Sequence, residues 1–199
     1  MSTSLEIPLF PLSSVLLPLG RMPLQIFEQR YLDLVRSCMK SDTGFGVVWI
    51  RRGSEVAGTS NSSLDLGDYG TYAKIVDWDQ LPNGLLGISI EGQHVFTLGE
   101  SRTSRSGQIY GDACSRGRPG FSPLQPEWNH LADVLRGLEI HPHVQRMNLD
   151  IDYDNAWEVG YTLIQLLPLD EHLKHELLGA SSLQGMMTVL DGTLNEISG

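Results

Sequence analysis

Residues 7–31 read IPLFPLSSVLLPLGRMPLQIFEQRY, and how this stretch folds decides the rest of the chain. It carries no charge before Arg21, and Pro8, Pro11, Pro18 and Pro23 break up its apolar residues. Prolines at that spacing exclude a helix, because each removes a backbone donor and clashes with the preceding turn. A membrane span is excluded as well, since it needs an uninterrupted apolar run of roughly 18 residues. Short extended pieces and tight turns remain, too apolar to stay uncovered. The stretch therefore predicts the first strands of a β core, threaded early and closed over by later chain.

Immediately downstream the period changes. Tyr31, Leu34, Val35, Cys38 and Met39 recur at three- and four-residue steps, which predicts one apolar helix face from about Glu28 to Lys40. Arg36 and Lys40 suit the negative end of that helix, and Ser41-Asp42-Thr43-Gly44 ends it. FGVVWI at 45–50 reads as a buried strand. Residues 51–68, rich in Gly and Ser, read as a long loop. GTYAKIVDWDQL (70–81), Pro82-Asn83-Gly84 and LLGISIEG (85–92) form the clearest hairpin, Asn-Gly supplying positive φ angles. HVFTL (94–98) and QIYGDAC (108–114) are further strand candidates.

Past Gly117-Arg118-Pro119-Gly120 the pattern becomes helical. Trp128, Leu131, Val134, Leu135 and Leu138 form one stripe, and Ala156, Val159, Gly160, Leu163, Ile164 and Leu167 a second that Pro168 stops. Asp170 caps a third helix ending at Gly179, and Ser181 or Ser182 caps a fourth through Leu183, Met186, Met187, Leu190, Leu194 and Ile197. Charge shifts at the same place. Residues 1–126 carry 11 basic and 12 acidic side chains, residues 127–199 only 3 basic against 12 acidic. The expected organisation is α+β, with a β-rich domain at 1–120 and a helical bundle at 121–199.

The net charge of −10 disfavours a general binder of nucleic acid or anionic membrane. Cys38 and Cys114 make no disulfide framework, and Cys38 falls on the helix stripe as a reduced core thiol. The start MSTSLEIPLF lacks the basic residues and apolar block of a secretion signal, which points to the cytoplasm.

Each candidate for chemistry has a simpler explanation. Asp150 to Asn155 (DIDYDN) opens like a calcium loop, but Asn155 and Tyr161 stand where such a loop needs Gly and Glu, so helix capping accounts for it. His141-Pro142-His143 and the pair His172/His175 lack partners at zinc-motif spacing and read as surface or helix-end histidines. Ser89 in Gly87-Ile-Ser89-Ile-Glu-Gly92 is one residue out of register for a nucleophile elbow and lies in a strand, which leaves a hydrolase little support. No Gly-Lys-Ser/Thr phosphate loop occurs. Arg102, Arg105, Arg116 and Arg118 are an RNA-binding alternative, weighed against a charged edge strand. Trp49, Trp78 and Trp128 are peptide-surface candidates, weighed against core packing. No catalytic, metal or cofactor residue is assigned, and no individual binding residue.

Pro23, Leu24, Ile26, Phe27, Glu28, Arg30 and Tyr31, followed by a helix, resemble the opening of the Lon N-terminal (substrate-binding) domain family. FGVV at 45–48, residues 70–92 and QLLPLDEHLKHELL at 165–178 extend the likeness over most of the chain, weakest at 51–68 and 100–150. The chain resembles the stand-alone bacterial branch of that family, to which the N-domain of Lon protease and the Lon-like domain of cereblon are similar. The resemblance implies a PUA-like β pseudo-barrel with one helix, then a helical bundle. It also implies a protein- or peptide-binding role in recognising unfolded or tagged substrates. The sequence read here carries neither the ATPase nor the Ser-Lys protease of full-length Lon, so the expected module is non-enzymatic. Glu28, Arg30 and Tyr31 either orient the first helix or touch a ligand.

Overall fold

In a computed structural model the described residues are 4–52 and 64–198. The architecture is α+β, as the sequence predicts: a six-stranded sheet that partly closes on itself, with one helix, followed in sequence by a helical region. Contacts divide the chain into two units, Met1–Arg118 and Pro119–Gly199.

The proline-broken stretch supplies β1 (Ser4–Leu12) and β2 (Arg21–Ile26). Proline belongs where a strand has a neighbour on one side only, since it has no N–H to give to a second. β1 meets this condition twice. Its first half, to Leu9, pairs with β6 (Ile109–Ser115), and from Leu9 onward it pairs with β3 (Phe45–Arg52). Pro8 falls in the half that lacks β3, Pro11 in the half that lacks β6.

Between β1 and β2 the chain turns at Leu17–Gly20, where Gly20 N–H donates to Leu17 O at 3.1 Å and Leu19 takes φ 65°. Leu19 N–H donates to Gly92 O at 2.9 Å, and Gly92 N–H donates back to Gly20 O at 3.0 Å. Thr71 Oγ1 donates to Leu16 O at 2.6 Å. Only glycine fits at 92, because a Cβ there would stand 2.2 Å from the Leu17 carbonyl oxygen.

Helix α1 (Gln29–Ser41) buries Tyr31, Leu34, Val35 and Cys38. They join Phe10, Leu16, Phe45, Val47 and Ile90 in the larger apolar cluster. Full burial of such a side chain contributes about 2 kcal/mol. Met39, expected on the same face, is instead exposed.

β4 (Asp65–Gln80) and β5 (Leu86–Thr103) are longer than the sequence predicts. β4 starts within the stretch read as a loop, β3 runs to Arg52, and residues 53–63 of that reading lie outside the described residues. β5 merges the two strands expected at 85–92 and 94–98. Register shifts at Tyr72/Ala73 and Ile75/Asp77 of its pairing with β4, and at Leu98/Ser101 of its pairing with β6, let one strand bend through three partnerships. It pairs with β2 and β4 first and β6 last, which closes the ring β1–β3–β4–β5–β6.

The β4–β5 hairpin differs from the expected Asn-Gly turn in one respect. Positive φ is confined to Gly84 (82°), and Gly84 N–H donates to Leu81 O at 2.8 Å. Pro82 fixes its own φ near the value that the second position of a type I turn requires, so only the residue after the turn must go left-handed. The β5–β6 turn repeats the arrangement, with Gly107 at φ 83° and its N–H on Ser104 O at 3.0 Å.

The second unit holds α2 (Asn129–Glu139), α3 (Pro142–Gln145), α4 (Ala156–Leu166), α5 (Glu171–Leu178) and α6 (Leu183–Ser198). The sequence pattern missed α3, a single turn after Pro142. Its other stripes hold, except that Val134 and Ile197 are exposed. Asp170 Oδ1 accepts Leu173 N–H at 2.9 Å, and Ser182 Oγ accepts Gly185 N–H at 3.1 Å, so both caps sit where the sequence puts them.

Candidate functional site

Arg30 sets the geometry of the principal groove. Its Nε donates to Glu28 Oε2 at 2.9 Å, its Nη1 donates to Gly107 O at 3.0 Å, and its guanidinium lies 4.5 Å from the Tyr31 ring centre. Tyr31 in turn stacks on Phe10 of β1 with ring centres 4.0 Å apart. Glu28, Arg30 and Tyr31 thus tie α1 to the β5–β6 turn and to β1. These contacts orient the helix, and Arg30 in addition lines the groove.

Held this way, α1 presents Arg30, Asp33, Leu34, Ser37 and Cys38, one helical face, to a groove of about 790 Å³. The opposite wall comes from Leu5, Ile7 and Pro8 of β1, in the half that has no β3 beside it. Gln108, Tyr110, Ala113 and Ser115 follow from β6 and the residue before it. Tyr72, His94 and Phe96, with Thr43 and Gly44 after α1 and Ser106 of the β5–β6 turn, complete the lining. The size is that of a ligand site, and the mixture is the usual one of apolar surface with a few polar groups.

Those polar groups are fixed. Tyr72 Oη accepts Gly44 N–H at 2.6 Å, and the Tyr72 ring stacks on His94 at 5.2 Å. Burial, and then the Arg118 charge, push the His94 imidazole below its ordinary pKa. Burial pushes the Cys38 thiol up, and its Sγ donates to Gly44 O at 3.6 Å. Gln108 is 5% exposed, and its Nε2 donates to Leu9 O and Ile109 O, both at 2.8 Å. Its Oε1 is buried without a hydrogen-bond partner among the described residues. Gln108 appears in the sequence only as the first residue of a strand candidate, and its burial depends on ring closure, which no local pattern signals.

Other sequence candidates scatter. Arg102 pairs with Glu6 at 2.6 Å and lies over Tyr110, Arg116 lies over Tyr69, and Arg118 donates to Gln93 O at 3.1 Å. Arg105 is exposed in the β5–β6 turn. Trp128 is buried and Trp49 half-buried, whereas Trp78 is 58% exposed on the distal part of β4, against the core-packing expectation. That part of β4 pairs with β5 alone. Two of its N–H groups, Trp78 and Gln80, donate to the preceding Asp77 and Asp79 carboxylates at 2.9 and 2.7 Å, which leaves them unavailable to an added strand.

Ser89 sits mid-strand on β5 opposite Pro23 and Asp77. His141 accepts His143 N–H at the start of α3, and His172 lies 3.8 Å from Glu176. His175 is buried in the last turn of α5 (Glu171–Leu178), the helix-end and not the surface alternative. In DIDYDN, Asn155 Oδ1 accepts Trp157 N–H at 3.3 Å as the cap of α4, and Asp152 N–H donates to Glu158 at 3.0 Å. Tyr153 hydrogen-bonds Glu139, and burial together with that carboxylate pushes its phenol up.

The family model of the ATP-dependent protease La (LON) substrate-binding domain matches residues 6–118. The chain belongs to this family. All of the groove-lining residues except Leu5 fall inside the matched segment. A Lon N-terminal domain protein from Xanthomonas campestris is similar at 32% identity and TM-score 0.76, over 94% of this chain and 98% of that one. The N-terminal domain of Mycobacterium avium complex Lon protease is 14% identical with TM-score 0.60, over 93% of this chain and 95% of that one, a likeness of fold alone. No curated protein matches the sequence. Among the described residues no helix is long and apolar enough to cross a membrane.

Proposed function

We propose that this protein is a non-catalytic recognition module of the cytoplasm that receives extended or unfolded peptide segments, in the service of protein quality control. The observation that carries the reading is the α1–β1–β6 groove, set in the segment that matches the substrate-binding family. Its apolar residues Leu5, Ile7, Phe96 and Ala113 suit a peptide's apolar side chain, and the half of β1 beside them, which pairs with β6 and has no β3 on its other side, suits extended backbone.

Fluorescence anisotropy with labelled Ala/Ser peptides carrying one central leucine or phenylalanine tests the reading. Leu5 is 66% exposed, so Leu5→Glu leaves stability within about 0.5 kcal/mol of wild type. The same change is expected to weaken binding at least about tenfold, whereas Trp78→Ala on the β4 edge leaves binding intact. Equal binding by wild type and Leu5→Glu would remove the groove from the account.

A further inference from the structure

Gln108 lines the groove, and its side-chain Oε1 is buried with no hydrogen-bond partner among the described residues. A buried acceptor without a donor forfeits its hydration and gains nothing in return, so native structures seldom leave one. The orientation of the Gln108 amide is fixed by chemistry. Exchanging its O and N would set an oxygen 2.8 Å from two carbonyl oxygens, those of Leu9 and Ile109. The two existing bonds therefore hold Nε2 in place and leave Oε1 as the unpaired end of the amide. Being an acceptor, it selects a donor.

We infer that Gln108 is a specificity residue of the groove, its Oε1 accepting a backbone N–H of the bound peptide next to the apolar side chain that fills the site. The inference rests on the peptide-groove reading above. It adds a substrate rule: segments with proline at that backbone position are discriminated against, since proline has no N–H to offer. Oε1 is buried in the structure, so the contact requires the groove lining to shift as the peptide seats. The bond thus forms in the seated complex and not on first encounter.

The experiment is a backbone N-methyl scan of the leucine-centred Ala/Ser peptide against the intact protein, with affinity read by anisotropy and Gln108 by the ¹³C shift of its side-chain carbonyl. In wild type, one methylated position is expected to lose about tenfold in affinity and to abolish the Gln108 shift seen with the parent peptide. In Gln108→Met, the parent peptide binds about tenfold more weakly and the penalty at that position vanishes. The wild-type scan decides the matter even if the variant fails to fold. A flat scan with an unmoved Gln108 resonance, as when a buried water satisfies Oε1, overturns the inference while leaving the peptide groove standing. Peptides that bind nowhere near Leu5 and Ile7 overturn both.

Discussion

Replacing Gly92 with alanine tests how the ring is assembled. The new Cβ would stand 2.2 Å from the Leu17 carbonyl oxygen and 3.0 Å from its carbon, where ordinary contacts are 3.4–4 Å. Both are backbone atoms and cannot rotate away, so residues 16–20 must retreat by more than an ångström. That retreat strains the Leu19 N–H to Gly92 O bond, the Gly92 N–H to Gly20 O bond and the Thr71 hydroxyl bond to Leu16 O. Each is worth about 1 kcal/mol net, which gives a destabilisation of about 3 kcal/mol. With a urea dependence of about 2 kcal/mol per molar, the midpoint falls by about 1.5 M. Hydrogen exchange localises the effect: the Leu19 and Gly92 amides should lose protection first. Gly120→Ala is the control, because an added Cβ there meets nothing within 4 Å. A Gly92→Ala midpoint within about 0.3 M of wild type, with both amides still protected, would refute the argument.

Two further outcomes follow from the residues around the groove. Tyr31→Leu keeps apolar bulk but loses the stack on Phe10 and the Arg30 contact, and is expected to cost about 1–2 kcal/mol in chemical denaturation; an unchanged midpoint would deny the motif its orienting role. The folded state favours neutral His94, so its contribution to stability is complete above the unfolded pKa of 6.5 and is lost as pH falls through that value toward the lower folded one. An NMR titration should place His94 below an exposed histidine and move it upward in Arg118→Gln, and a His94 titrating above 6.5 would contradict this.

Local pattern made much of the fold legible. Proline spacing in 7–31 ruled out a helix, the Tyr31–Cys38 periodicity located α1, and Asp170 and Ser182 marked helix starts. What stayed hidden depends on contacts distant in sequence. Gly92 and Gln93 look like the end of a strand, yet a bulge carries β5 through them because β4 and then β6 continue to pair with it. Trp78 reads as core by composition but lies where β4 has lost β3 as a neighbour. The motif Glu28-x-Arg30-Tyr31 was visible as a family feature, while its role required the position of Gly107, 77 residues further on than Arg30. Gln108 offered no signal at all, since a lone amide in a strand is ordinary until its surroundings close.

Photo-crosslinking measures the central claim most directly. A benzophenone placed beside the central leucine of the probe peptide, followed by mass-spectrometric mapping, should mark Leu5, Ile7, Ser37 and Tyr110. Excess unlabelled peptide should remove those adducts. Adducts concentrated at Trp78, or spread over the helices after Pro119 with the groove unmarked, would contradict the account.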